Sequence, residues 1–345
     1  MATAVETNEA CSRPPTGAEV YVDRGFRVVS SVFAWMIVLL TAGIILRIGV
    51  LSLPAMREYG LGFITGDVWD PNAGVFGILP QIWGTIYTSV LGLIFGMIFG
   101  LAVAIFLSES LLSMWLFNVL ARLGLQYHPF FGKLPDALEN TIRNIIQLLA
   151  AIPSVVYGLW GIFVVIPTIT PACEWLHSHL GWIPLFSEPW RGTPSILPAS
   201  IVLGIMILPT ISAISFDALR AVHPRIREAA YGLGATRWEA LLGVIIPTAS
   251  TGIFGSVILA FGRALGETMA LAMLAGGANT LKISLFSPAN TLAALLASNF
   301  GEASGENDIG RLMYASLVLL AITLIVNVAG AWVLTRQNAR REGLR

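Results

Sequence analysis

Six apolar runs constrain this chain more than any other feature, each close to the ~20 residues with which an α-helix crosses a ~30 Å hydrocarbon layer. They lie at about 28–51, 83–107, 145–167, 195–218, 251–275 and 312–335. In hydrocarbon every backbone amide and carbonyl must be paired inside the protein, and runs of this length meet that demand as helices. Composition agrees. The 345 residues are 56% hydrophobic and 12% charged, whereas an ordinary soluble domain is about 25% charged. The expected fold is an all-α polytopic membrane protein with six transmembrane helices. Net charge is zero with no long basic run, which argues against nucleic acid as a partner.

Lys and Arg set the expected orientation. With the N-terminus in the cytoplasm, the inner segments hold most of the cations, among them Arg24, Arg27, Arg122, Lys133, Arg143, Arg220, Arg225, Arg227 and Arg237, and then Arg336 to Arg345. The outer segments keep Arg57, Arg191, Lys282 and Arg311. Both termini are therefore expected inside, with residues 1–27 a cytoplasmic tail, disordered over 1–20, and residues 28–345 the membrane domain. The first run has no small-residue cleavage site and reads as a retained span, not a signal peptide. Cys11 and Cys173 then fall on opposite sides of the membrane, too far apart for a disulfide, and neither has metal-ligand spacing.

The connectors are less uniform. Asp70-Pro71 and the Asn-Ala-Gly that follows predict turns and no strand pair in the first outer loop. "NTIRNIIQLLAAIPS" predicts an amphipathic helix that runs into the third span and breaks at Pro153. His177 and His179 are spaced two apart, poorly for two ligands on one helix face, so they read as surface histidines. Asn290 is expected to cap a short helix over 291–300 that Gly301 ends.

The connector at 223–247, "HPRIREAAYGLGATRWEALLGVIIP", differs from an ordinary loop. Pro224 suits a first helical turn, and Glu228, Ala229 and Ala230 continue it. Gly232 and Gly234 permit a sharp turn. Thr236 followed by Glu239 makes a capping box that opens a second helix, expected to end at Pro247. Helix, glycine turn, helix is the reading for this cytoplasmic hairpin.

Glu228-Ala229-Ala230, three residues, Gly234, nine residues, then Val244-x-Ile246-Pro247 resembles the coupling motif of bacterial ABC importer permeases, with Val for Ile and Ile for Leu as mild departures. The stretches "GFITGDVWDPNAGVFGILPQIWGTIYTS" (62–89), "LLAAIPSVVYGLWG" (148–161), "AYGLGATRWE" (230–239) and "GRALGETMALAML" (262–274) narrow the resemblance to PstC-type permeases of phosphate ABC importers. Met-Ala after Gly-Glu-Thr separates these from the sister PstA-type permeases, which typically continue with Ala-Pro. The resemblance implies a heterodimer with a PstA-type permease, two PstB-type ATPase subunits that bind ATP and Mg, an outer PstS-type phosphate-binding protein, and a type I importer fold. It also implies that Glu228, Ala229, Ala230, Gly234 and Pro247 belong to the joint with the ATPase. The chain has no Walker A sequence of its own, since Gly132-Lys133 is followed by Leu134 and lacks the leading glycine.

Arg263 and Glu267 stand four residues apart inside the fifth run. Counted from Thr251, Arg263 lies ~18 Å along a helix at 1.5 Å per residue. A charge at that depth costs roughly 2.5–3.5 kcal/mol on insertion scales, so the pair is expected to face protein or water. One reading is mutual neutralisation. The other is that Arg263 contacts phosphate through its planar donor fork while Glu267 holds it and weakens its grip. Thr268, Ser154 and Tyr157 are candidate neutral donors on the same pathway, and Gly262 and Gly266 are at the spacing that permits close helix packing.

A permease for another oxyanion or polar solute, or the sister permease of the same complex, are the alternatives. An intramembrane enzyme would need a catalytic constellation, and the spans hold no His-Glu-x-x-His, no Gly-x-Ser-x-Gly and no histidine. A channel leaves the coupling hairpin unexplained.

Overall fold

The chain is described from a computed structural model, over residues 16–71, 73–109, 114–115, 119, 122, 134–303 and 305–342. The principal helices are α1 (Gly17–Tyr59), α2 (Leu79–Ser108), α3 (Leu134–Leu149), α4 (Ser154–Leu180), α5 (Ile196–Arg220), α6 (Pro224–Gly232), α7 (Arg237–Leu265), α8 (Met269–Leu274), α9 (Leu292–Asn299) and α10 (Glu306–Glu342). Six of these, α1, α2, α4, α5, α7 and most of α10, are long and apolar enough to cross a membrane.

The six expected spans are present with different limits. α1 begins at Gly17, so residues 17–27 of the expected tail are helical; Cys11, Gly132 and Lys133 lie outside the described residues. The third span shifts most. The Ile-rich run at 145–149 belongs to the amphipathic α3, the chain breaks at Pro153, and α4 starts at Ser154. The fifth apolar run is likewise two helices, because α7 stops at Leu265 and α8 resumes at Met269.

The chain forms two units, divided after Leu51. In the first, α1 exposes its apolar side chains on all sides, and Asp23 pairs with Arg27 at 2.8 Å. The second unit is built on α2 against α5. Small residues on α2 admit the neighbouring helix closely: a Cβ on Gly96 would come within 2.6 Å of Ile207, and one on Gly100 within 3.0 Å of Ile211. Around this pair, Val165, Val202, Met206, Ala260, Ala264, Leu271 and Leu274 join α4, α5, α7 and α8 into one apolar core.

α7 and α4 each contain a π-helical turn, Leu241–Ile245 and Gly161–Val165. In both cases a proline, Pro247 or Pro167, follows two residues later. Proline cannot donate to the carbonyl four residues back, and its ring collides with that carbonyl. Widening the preceding turn relieves the collision without ending the helix. The expected stop at Pro247 is therefore not made, and the helix that begins at Arg237 runs on to Leu265.

At the end of the bundle opposite the 223–247 hairpin, two more expectations change. Trp69–Asp70 and Val75–Phe76 form a short antiparallel strand pair, where the turn residues had suggested none. Asp70 accepts from the Ala73 amide at 3.2 Å and Gly74 has φ 71°, so the turn chemistry closes the pair rather than excluding it. Thr291, not Asn290, caps α9, its Oγ1 accepting from the Ala294 amide at 3.2 Å. Asn290 instead donates to Asn279 Oδ1 at 3.2 Å, beside a 2.8 Å bond from Gln81 to the same oxygen. These bonds hold the 276–291 segment across the start of α2, where the Asn290 carbonyl occupies the space a side chain at residue 84 would need.

Candidate functional site

The 223–247 connector folds as helix, glycine turn, helix. His223 starts α6 by accepting the Arg225 amide at 3.2 Å. Gly232 is still helical, and the reversal rests on Gly234, whose φ of 83° is the left-handed conformation that glycine adopts without penalty. α7 then opens on the expected capping box. Thr236 donates from its amide and its hydroxyl to Glu239 Oε2, both at 2.7 Å, and accepts the Glu239 amide at 3.4 Å.

The hairpin is fixed from behind and bare in front. Ala230, Ala240, Leu241 and Ile245 are buried, the last two in a cluster with Leu107 of α2 and Phe216 and Leu219 of α5. Glu228, Ala229 and Gly234 are exposed. Beside them stand Tyr231, Leu233 and Trp238, and Leu233 is 89% exposed. Apolar side chains displayed on a rigidly held turn mark a surface for a protein partner or for a membrane.

A family model described as "Binding-protein-dependent transport system inner membrane component" matches residues 130–343, from just before α3 to just past the end of α10. The chain belongs to that family. Such a component is a multi-pass permease of the inner membrane and a part of a transport system. The chain is 34% identical to the phosphate transport system permease protein PstC of Mesorhizobium japonicum over 92% of its own length and 91% of that protein's. With the PstC protein of Haemophilus influenzae it shares 33% identity over 93% and 95%. Among solved structures, one chain of the inward-facing MetNI methionine ABC transporter matches 78% of this chain and 99% of its own, at 17% identity and TM-score 0.49.

The other candidate site of this permease is the junction of α7 and α8. Arg263 lies in the last turn of α7, where a cation complements the negative end of the helix dipole. Its Nη1 donates to Thr210 Oγ1 on α5 at 3.1 Å. Gly266 is the C-cap and the helix is interrupted, so Glu267 does not lie one helical turn beyond Arg263 as a continuous span would place it. Among the described residues, no ion pair joins Arg263 to Glu267. Thr268 Oγ1 donates to the Gly266 carbonyl at 3.1 Å, within the interruption itself.

Two glycines of α4 seat α8 against it. A Cβ on Gly158 would come within 2.7 Å of Met273, and one on Gly161 within 2.6 Å of Leu274. This contact packs the first turns of α4 alongside α8, which follows the junction directly in the chain. Tyr157 is buried and donates to the Leu149 carbonyl at 2.9 Å, while Ser154 is half-buried at the start of α4. Gly262 faces Asn327 of α10 in a close helix contact, whereas Gly266 is exposed and packs no neighbour. Leu259, Arg263 and Gly266, spaced four and three residues apart along α7, form an uncovered strip on this chain, and Met269 is exposed beyond the break.

Sequence reasoning missed Glu109 and Thr210. Glu109 closes the end of α2 and is buried, with Arg227 Nη1 2.7 Å from its Oε1 and Arg237 Nε 3.4 Å from its Oε2. Its signal in the sequence was a lone carboxylate at the edge of an apolar run. His177 and His179 stay surface-side: His177 Nδ1 bonds the Phe186 carbonyl at 2.8 Å and His179 stacks on Trp175.

Proposed function

We propose that this chain is the permease of an ATP-driven phosphate importer, forming half of the translocation pathway. The observation that carries the reading is the bare, rigidly backed hairpin at one end of a bundle that also presents Arg263 on an uncovered strip. The likeness to PstC proteins over nearly the whole chain supplies the cargo. In this reading both termini are cytoplasmic. The exposed residues Glu228, Ala229 and Gly234, with Pro247 at the far end of the motif, serve the joint with one of two ATPase subunits, which bind ATP and Mg. A second permease completes the pathway, and an outer binding protein delivers phosphate.

Arg263 supplies the cation of the pathway. Its guanidinium is planar and permanently charged, and one arm is held by Thr210 while others remain free for an oxyanion. A single fork with no cage around it among the described residues favours transient contact, as transport requires release as well as entry. Glu267, Thr268 and Ser154 complete the polar lining around it, with Glu267 lowering the affinity for a second negative charge, and Tyr157 backs that lining through its bond to the Leu149 carbonyl.

The test is ATP-dependent phosphate uptake into proteoliposomes that hold the full complex. Arg263→Gln is expected to assemble and hydrolyse ATP while moving no phosphate. Unchanged uptake in that variant would remove Arg263 from the pathway, and a wild-type complex that moves another oxyanion but no phosphate would replace the cargo.

A further inference from the structure

The coupling hairpin follows α5 in the chain and its second limb is the start of α7, so those helices receive its movement directly. α2 has no covalent route to it. We propose that Glu109 is a positioning residue that locks the hairpin to the end of α2, making α2 a third helix driven by the ATPase. The inference rests on the reading above that the hairpin meets an ATPase.

The geometry gathers both limbs of the hairpin on one carboxylate. Arg227 of α6 donates from Nη1 to Glu109 Oε1 at 2.7 Å and from Nη2 to the Leu219 carbonyl of α5 at 2.8 Å. Arg237, the first residue of α7, donates from Nε to Glu109 Oε2 at 3.4 Å and from Nη2 to the Glu109 backbone carbonyl. Three segments, α2, α6 and α7, therefore meet at a single acidic side chain that is 3% exposed, and Arg227 ties α5 to them. Charge-assisted bonds of this kind are short and directional, and Arg227 uses its fork to bridge two different helices, which a lysine point charge does not reproduce. Behind the ring, Ala104 and Leu107 of α2 pack in one cluster with Leu241 and Ile245 of α7. Because α2 also lies tightly against α5 through Gly96 and Gly100, a hairpin held at Glu109 moves with both helices as one body. α5 carries Thr210, the partner of Arg263.

The experiment measures phosphate moved per ATP hydrolysed by the complete complex in proteoliposomes, for wild type, Glu109→Gln and Arg227→Lys. Both variants are expected to keep ATP hydrolysis while the ratio falls roughly fivefold or more, a size typical of lost coupling between sites. A ratio equal to wild type, or uptake and hydrolysis falling in step, overturns the proposal. If Glu109→Gln does not assemble, Arg227→Lys decides by the same ratio, since it keeps the charge and loses the bridge. A wild-type complex that moves no phosphate on ATP overturns the functional reading itself, an outcome separate from any change in the variants.

Discussion

Arg263 Nη1 lies 3.1 Å from Thr210 Oγ1, so the cation at the end of α7 is held by a neutral hydroxyl on α5 and not by the carboxylate four residues later. A neutral partner leaves the guanidinium its full charge. It follows that Thr210→Val, which removes the hydrogen bond and keeps the shape, lowers phosphate uptake by roughly 2–10-fold, the range of one net hydrogen bond. Glu267→Gln is expected to reduce uptake less than Arg263→Gln. Equal losses in the two charge variants, measured as initial uptake rates, would show that the carboxylate and the guanidinium act as a unit after all.

Tyr157 tests how far the polar lining extends. Its hydroxyl is engaged by the Leu149 carbonyl at 2.9 Å. Tyr157→Phe is expected to cost about 1 kcal/mol of stability through that lost bond, readable as a lower melting temperature of the purified complex, and to leave the rate of phosphate uptake little changed. A large drop in uptake with an unaltered melting temperature would give the hydroxyl a direct part in passage.

The glycines of α2 predict a graded series. At Gly100 the nearest atoms to an added methyl are the Ile211 side chain at 3.0 Å, which can shift, and alanine also gains helix propensity, so Gly100→Ala is close to neutral. At Gly96 the approach is 2.6 Å to Ile207, and overpacking of this kind costs about 1–3 kcal/mol. At Gly84 the obstacle is the Asn290 backbone carbonyl, which moves only with the whole 276–291 segment. Thermal unfolding should therefore rank the alanine variants 100, 96, 84 from mildest to most damaging, and a different order would mean that α2 tilts away from α5 as a whole.

The loop pair Glu188 and Lys282 gives a pH prediction outside the spans. Lys282 Nζ lies 2.9 Å from Glu188 Oε1, and its hydrogen bond, followed by its charge, holds the Glu188 carboxyl below the ordinary 4.5. A carboxyl lowered in the folded protein adds stability that is present above its ordinary value and is lost as pH falls through the folded value. Lys282→Ala is expected to bring the Glu188 midpoint back up, as followed by carbon-13 NMR of labelled glutamate; identical midpoints in both proteins would dissociate the pair in solution.

The six spans were legible because hydrocarbon imposes a length and a composition that few other structures share. Their limits were less so. The run at 145–152 is as apolar as a span, but Asn140, Arg143, Asn144 and Gln147 recur on one face, which makes α3 a separate amphipathic helix. The apolar residues after Gly266 concealed the break between α7 and α8, and with it the true relation of Arg263 to Glu267. In the hairpin, the capping box and the left-handed Gly234 could be read directly, because both are set by neighbours within a few residues. Glu109 could not: its partners lie 118 and 128 residues further along the chain, and no local pattern encodes an encounter at that distance.

The widened turn at Leu241–Ile245 acts on everything that follows it. One extra residue in a turn rotates the remainder of the helix by roughly 100° against a regular α-helical count. A helical wheel drawn from Arg237 consequently assigns Leu259 and Arg263 to the wrong side of α7. The two prolines thus serve as phase shifters: by holding a turn open they choose which flank of α7 and of α4 confronts the rest of the assembly, and an insertion or deletion of one residue near either turn would redirect that whole flank while leaving the helix itself intact.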